Sequence, residues 1–60
     1  MKFLTIKFNS GEVFKINLEQ VQYIEIYEDK VDFIYQDCFR RAAKDMVLNF
    51  NEVKEIAENI

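Results

Sequence analysis

The chain contains no histidine, no tryptophan and no proline, and it has one cysteine and one glycine in 60 residues. The single cysteine, Cys38, excludes a disulfide within the chain, and without histidine a zinc site lacks ligands. No apolar run approaches the roughly 20 residues that span a bilayer. The lack of proline, with Gly11 as the one glycine, argues against a linker. We therefore expect one small ordered domain over residues 1–60.

Neither sign of charge is in large excess. Eight basic and eleven acidic side chains give a formal net charge of -3. A protein that binds nucleic acid needs a surplus of lysine and arginine on one face. The best basic cluster, Arg40, Arg41 and Lys44, lies between Asp37 and Asp45. The charge pattern therefore argues against nucleic-acid binding, which remains a minor alternative through this cluster.

The chain has few side chains suited to catalysis. Ser10 lies in a turn with no histidine to activate it, and the acids Glu25, Glu28, Asp29 and Asp32 surround a hairpin. A carboxylate acts as a general acid or base when burial in a concave pocket raises its pKa, and so small a domain has little room for one. We predict a non-enzymatic protein with no cofactor and no metal.

Alternating apolar residues predict two β-hairpins, over residues 2–17 and about 21–36. The first turns at Asn9-Ser10-Gly11-Glu12, where Gly11 supplies a positive φ, and the second turns at Glu28-Asp29-Lys30. Between the hairpins, Asn17 precedes Gln20 by three positions. This capping-box pattern predicts one helical turn.

The carboxy-terminal segment has the pattern of an amphipathic helix. Asn49 and Glu52 form a second capping box, and an apolar stripe follows, made of Phe50, Val53, Ile56, Ala57 and Ile60. We predict a helix over about 50–59 that packs its stripe on the sheet. The fold class is therefore α+β, with an antiparallel sheet of four or five strands packed on a C-terminal α-helix.

Residues 38–48 carry two competing patterns. Apolar residues recur at helical spacing, and Arg-Arg-Ala-Ala-Lys is rich in helix formers. Against a helix, Asp37-Cys38 is the length of a two-residue hairpin connection, so a fifth strand at about 39–44 could pair with the fourth. We favour the strand and keep the helix as the alternative.

The order of elements resembles the FlbD-like family of small bacterial flagellar proteins. The matching segments are Phe8-Asn9-Ser10-Gly11-Glu12, Ile16-Asn17, Val21-Gln22-Tyr23-Ile24-Glu25 and Val53-Lys54-Glu55-Ile56. The sequence departs from the family at Asp37-Cys38, where a glycine is expected, and from Arg40 to Phe50, which is longer. The resemblance implies a non-enzymatic protein that works by contact, and it transfers no functional residue.

Large apolar residues occupy both faces of the predicted strands, and a chain of this length buries only about 60% of its unfolded surface. The residues left over include aromatic ones, which are enriched in interface cores. We therefore predict a protein-binding surface made of Phe3, Tyr23, Glu25, Tyr27, Glu28, Asp29 and Ile34, with Val13 nearby. The alternative is that residues 38–48 form a helix that covers this face.

These patterns favour a small cytoplasmic protein, in its own cell or in a host cell, that regulates or inhibits a larger intracellular protein. A mobile-element or phage anti-defence inhibitor, such as an anti-CRISPR, is one form of this hypothesis. We expect a homodimer and no membrane association. The alternative is a structural or assembly subunit of FlbD-like type, in which an exposed sheet edge pairs with a neighbour.

Overall fold

The computed structural model describes residues 2–60, and within them the fold is α+β with antiparallel strands, as predicted. The strands are β1 (Phe3–Lys7), β2 (Val13–Asn17), β3 (Tyr23–Ile26), β4 (Lys30–Ile34) and β5 (Phe39–Ala43). A 3-10 turn, Leu18–Gln20, follows β2, and the helix α1 spans Phe50–Glu58. Both predicted hairpins and the C-terminal helix are present.

The strands form two sheets, and the expectation of one continuous sheet is not confirmed. β1 pairs with β2, and β4 lies between β3 and β5. The segment after β5 joins the sheets, because an isolated bridge pairs Phe8 with Val47. Beside it, the Leu48 amide donates to the Lys7 carbonyl oxygen at 2.7 Å. After β5, at the edge of the three-stranded sheet, the chain therefore runs along the edge of the two-stranded sheet next to β1.

The turn of the first hairpin has the predicted geometry. The Gly11 amide donates to the Phe8 carbonyl oxygen at 3.0 Å, and the Phe8 amide donates to the Glu12 carbonyl oxygen at 2.8 Å. Gly11 has a φ of 96°. This is a three-residue hairpin loop that ends in a left-handed residue, a conformation that glycine adopts without steric cost.

The helical turn after β2 is also confirmed. The Asn17 side-chain oxygen accepts a hydrogen bond from the Glu19 amide at 3.1 Å. The 3-10 turn then ends at Val21, whose amide donates to the Leu18 carbonyl oxygen at 3.4 Å. This single turn carries the chain from the first sheet to β3.

Residues 39–43 form a strand, which resolves the ambiguity of the sequence in favour of β5. The connecting turn is Gln36-Asp37, one residue earlier than expected, because the Tyr35 amide donates to the Cys38 carbonyl oxygen at 2.8 Å. β4 contains the buried residues Val31, Asp32 and Phe33. A helix at 39–47 would leave one edge of this buried strand without hydrogen-bond partners, which is costly.

One apolar core lies between the helix and the inner faces of the two sheets. Its buried members are Leu4, Ile6, Ile16, Val31, Phe33, Ala42, Val47, Phe50, Val53 and Ala57. The helix buries a narrower stripe than predicted, because Ile56 is partly exposed and Ile60 is 69% exposed. The helix covers one side of the three-stranded sheet and leaves the other side open.

Asn49 precedes the helix at the N-cap position, but its side chain does not cap the helix. Its Oδ1 accepts from the Lys7 amide at 2.9 Å, and its Nδ2 donates to the Thr5 carbonyl oxygen at 2.9 Å and to Glu52 Oε1 at 3.0 Å. The predicted capping box is thus replaced by a side-chain amide that pairs with β1. Residues 46–48 pair through their backbone with residues 7–9, and Asn49 extends this pairing along β1 through its side chain.

We expect Asn49→Ala to lower the free energy of unfolding by about 1–3 kcal/mol, because two backbone groups of β1 lose their partners. Asn49→Asp keeps the acceptor for Lys7 but loses the donor to Thr5, so it should fall between Asn49→Ala and wild type. The matched control is Asn51→Ala, an exposed position in the first helical turn. Urea unfolding followed by circular dichroism measures the differences, and equal midpoints for both alanine variants would contradict the prediction.

Candidate functional site

The side of the β3-β4-β5 sheet opposite the helix, called here the outer face, is not covered by any part of residues 2–60. Strand register arranges its side chains in three rows across the sheet. The rows are Tyr23, Ile34 and Phe39; then Glu25, Asp32 and Arg41; and then Tyr27, Lys30 and Ala43. Four of the predicted interface residues, Tyr23, Glu25, Tyr27 and Ile34, lie on this face.

The first row forms an apolar stripe. Tyr23 pairs with Ile34, and Ile34 pairs with Phe39. Tyr23 and Phe39 are 55% and 51% exposed, whereas Ile34 between them is half-buried. Side chains directly opposite each other on one face of antiparallel strands have Cβ atoms about 5 Å apart, so the row presents a continuous surface.

An ion pair occupies the middle of the outer face. Arg41 Nε donates to Asp32 Oδ1 at 2.8 Å, and Arg41 Nη2 donates to Asp32 Oδ2 at 3.1 Å. The Asp32 side chain is almost fully buried, whereas the Arg41 side chain is 48% exposed. The Asp32 hydrogen bond raises the pKa of Arg41. The two hydrogen bonds hold the guanidinium in place, with its carbon Cζ 5.3 Å from the Phe39 ring centre.

Tyr27 lies between an acid and a cation at the end of the outer face. Its hydroxyl donates to Glu25 Oε1 at 3.4 Å, and Lys30 Nζ lies 4.6 Å from its ring centre. The Glu25 carboxylate raises the pKa of the Tyr27 phenol. A tyrosine hydroxyl is protonated at neutral pH, so it can donate the hydrogen bond to Glu25.

Glu28 and Asp29 form the two-residue turn between β3 and β4, and both are exposed. The Tyr27 amide donates to the Lys30 carbonyl oxygen at 2.9 Å across this turn. The Asp29 carbonyl oxygen accepts from the Lys44 amide at 2.9 Å, which ties the turn to the end of β5. The two carboxylates thus project from a fixed corner beside the outer face.

Phe3 does not lie with the other predicted interface residues. It belongs to β1, in the other sheet, where it is 52% exposed and pairs with Asn17. It lines a shallow groove with Leu18, Ile56 and Ile60. Val13 lies at the opposite end of the same hairpin, paired with Lys7. The predicted patch is therefore divided between two sheets.

Phe39 and Arg41 of the outer face were not predicted as protein-binding residues, and Arg41 was named only in the basic cluster of the nucleic-acid alternative. They belong to β5, and their face could not be assigned while residues 38–48 had two competing patterns. The two-residue turn before β5 was the available signal, since alternation from that turn places Phe39 and Arg41 on one side and Arg40 on the other.

The basic cluster is not a single patch. Arg40 and Arg41 are successive residues of β5 and point to opposite faces. Arg41 binds Asp32, whereas Arg40 Cζ lies 5.9 Å from the Phe14 ring centre. Lys44 lies in the following turn. The three cations therefore do not form one surface for a phosphate backbone.

Residues 2–60 contain no group of three or more cysteine, aspartate or glutamate side chains that could hold a metal ion. In that same range, the helix is too short and too polar to cross a membrane. Comparisons with protein-family models, curated proteins and solved structures found no significant match. The FlbD-like resemblance therefore stays a prediction from the order of residues.

Proposed function

We propose that this chain is a non-enzymatic binding module that regulates or inhibits a larger intracellular protein by covering part of its surface. The observation that supports the proposal is the uncovered outer face, where an exposed aromatic row lies beside a preorganised Asp32–Arg41 pair. Under this proposal a phage or other mobile element is the source of the inhibitor, and its target lies in the host cytoplasm.

The composition of the outer face suits a protein partner. Tyrosine and arginine are enriched among residues that dominate binding energy, because they bury large areas and keep a polar group for hydrogen bonding. Tyr23 and Phe39 supply the apolar anchors, and Arg41 loses little side-chain freedom on binding because Asp32 already holds it. Preorganisation of this kind raises affinity without new contacts.

The acids at the edge of the outer face set the expected chemistry of the partner. Glu25 is exposed in the middle row, and Glu28 and Asp29 project from the adjacent turn. Carboxylates at the rim of an interface steer a partner of opposite charge and fix its orientation. We therefore propose a target patch with an apolar centre and basic residues on one side.

A photocrosslinker placed at Tyr23, in the cell that produces the protein, tests this proposal. We expect one discrete adduct with a larger protein, and we expect Phe39→Ala to reduce its yield because the neighbouring anchor is lost. The matched control places the same crosslinker at Phe3, which is equally exposed but lies on the other sheet. An adduct from Phe3 alone, or a yield that Phe39→Ala leaves unchanged, would contradict the proposal.

A second candidate is self-association through the same face. Glu25, Asp32 and Arg41 form one row that carries both signs of charge. In a two-fold symmetric pair, Glu25 of one copy can lie opposite Arg41 of the other, as an isologous interface requires. Light scattering over a range of concentrations detects the dimer. A dimer that Phe39→Ala weakens and Phe3→Ala does not would favour this candidate.

A further inference from the structure

The free edge of β2 is a second feature of the molecule, separate from the outer face. β2 pairs only with β1 among the strands of residues 2–60. The Phe8 amide donates to the Glu12 carbonyl oxygen, and the Leu18 amide donates to the Lys2 carbonyl oxygen. Phe8–Glu12 and Lys2–Leu18 are therefore hydrogen-bonded pairs at the two ends of the hairpin. Because hydrogen-bonded and open pairs alternate, the backbone groups of Val13 and Lys15 point away from β1.

These outward groups are available for pairing. No backbone or side-chain group in residues 2–60 hydrogen-bonds to the amide or carbonyl of Val13 or Lys15. The three-stranded sheet has two edge strands, β3 and β5. β5 has less free backbone than β2, because the Ala43 carbonyl accepts from Met46 and Val47 and the Phe39 carbonyl accepts from Arg40. The edge of β2 is therefore a more complete template for an added strand than the edge of β5.

A cleft of about 420 Å³ runs beside this edge. It lies between β2 and the turn that joins β4 to β5, and its lining residues are Val13, Phe14, Lys15, Ile16, Tyr35, Cys38 and Arg40. Phe14, Ile16 and Tyr35 form the apolar wall of the cleft. Burial raises the pKa of Tyr35. We call this site the β2 cleft.

The charge of the β2 cleft is positive, although the chain as a whole is acidic. Lys15 and Arg40 line it, and no carboxylate does. Within the part of the chain that the structure describes, neither cation forms a salt bridge. The Arg40 guanidinium donates to the Phe39 carbonyl oxygen and lies over the Phe14 ring. Two cations without acidic partners beside an open strand edge are complementary to an extended segment that carries carboxylates.

We propose that the β2 cleft binds an extended acidic peptide segment of a partner protein by strand addition. The backbone of the peptide pairs with Val13 and Lys15, and a carboxylate on one face of the peptide contacts Lys15. A carboxylate and an apolar side chain on the other face contact Arg40 and the Phe14 ring, which lie together. Main-chain hydrogen bonds supply affinity in this mode of recognition, and the flanking side chains supply selectivity.

A second copy of β2 does not fit this cleft. Antiparallel pairing of two β2 edges centred on Lys15 places the two Lys15 side chains opposite each other, and like charges in that position are destabilising. Lysine in the middle of an edge strand also opposes aggregation between edges. The same residue therefore disfavours self-pairing and favours an acidic partner.

The test titrates isotopically labelled protein with a short capped peptide in which single valines separate pairs of adjacent glutamates, and follows the amide signals by NMR. Adjacent glutamates place carboxylates on both faces of the extended peptide. The comparison peptide replaces each glutamate with lysine. We expect the glutamate peptide to shift the amides of Val13, Lys15 and Arg40, to slow hydrogen exchange at Val13 and Lys15, and to bind at least about tenfold more tightly than the lysine peptide.

Charge reversal gives an independent check. Lys15→Glu combined with Arg40→Glu should weaken binding of the glutamate peptide by about tenfold or more and improve binding of the lysine peptide. The matched control, Lys7→Glu with Lys44→Glu, makes the same change of net charge at exposed positions outside the cleft and should leave both affinities within about twofold.

Several results would overturn the inference. These are equal binding of the two peptides by the wild-type protein, no binding at millimolar peptide, or shifts confined to β3 and the outer face. Binding of a single-stranded thymidine oligonucleotide at the cleft as tightly as the glutamate peptide would also overturn it, by assigning the cations to phosphate. The β2 cleft and the outer face share no residue, so this test is independent of the proposed function.

Discussion

Phe33→Ala is expected to remove a large share of the folding stability of the protein. Phe33 lies in the central strand β4, is fully buried, and belongs to the same core as Val53 and Ala57 of the helix. Truncation of a buried phenylalanine costs about 3–5 kcal/mol through lost burial and the cavity left behind. A domain of this length is expected to have only about 3–9 kcal/mol of total stability, so the loss is comparable to the whole.

Urea unfolding and the dispersion of amide NMR signals measure this effect. Phe33→Leu keeps most of the side-chain volume and should cost less than about 1.5 kcal/mol. The matched control is Phe39→Ala, the same truncation one strand away, where the ring is half exposed on the outer face. A folded Phe33→Ala protein with the same unfolding midpoint as Phe39→Ala would show that the core is not centred on β4.

Arg41→Ala is expected to lower the free energy of unfolding by about 1.5–3 kcal/mol, because it removes both donors from the buried Asp32 carboxylate. Asp32→Ala should cost less, because the half-exposed Arg41 side chain can then be hydrated. The exposure of Arg41 places the effect at the lower end of this range, since water screens the pair.

A double-mutant cycle measures the interaction energy between Asp32 and Arg41. The combined Asp32→Ala and Arg41→Ala protein should lose less stability than the sum of the two single variants, with a coupling of about 0.5–2 kcal/mol. Unfolding by urea keeps ionic strength low, and repeating the cycle in added salt should reduce the coupling. Strictly additive losses would contradict a stabilising role for the pair, and Arg41 would then serve the outer face alone.

The hairpins and the helix could be predicted because they depend on neighbours in sequence. Gly11 defines the first turn through its positive φ, and Asn17 defines the helical turn after β2. Alternation in β3 and β4 separates inner from outer residues without knowledge of any other strand. Residues 39–43 were harder, because alanine and arginine suit both helix and strand and the spacing matched both patterns.

The candidate site was predicted only in part. Tyr23, Glu25, Tyr27 and Ile34 were placed on one surface because they share one hairpin. Phe3 was assigned to the same surface because alternation places it on the outer side of β1 and one continuous sheet was expected, whereas β1 belongs to the other sheet. Phe39 and Arg41 were missed because their position depends on pairing with β4, which the pattern of residues 38–48 did not specify.

The sequence by itself determined the local elements, the surplus of apolar side chains, and the scarcity of groups that carry catalysis or metal binding. These properties follow from backbone preferences and from side-chain periodicity within a few residues. Tertiary structure alone decided that the strands divide into two sheets, that Asn49 binds β1 instead of capping its helix, and that Asp32 meets Arg41. Each of these three features depends on contacts between segments that are distant in sequence. Several such pairings satisfy the local backbone preferences equally well, and the burial of one shared core selects among them.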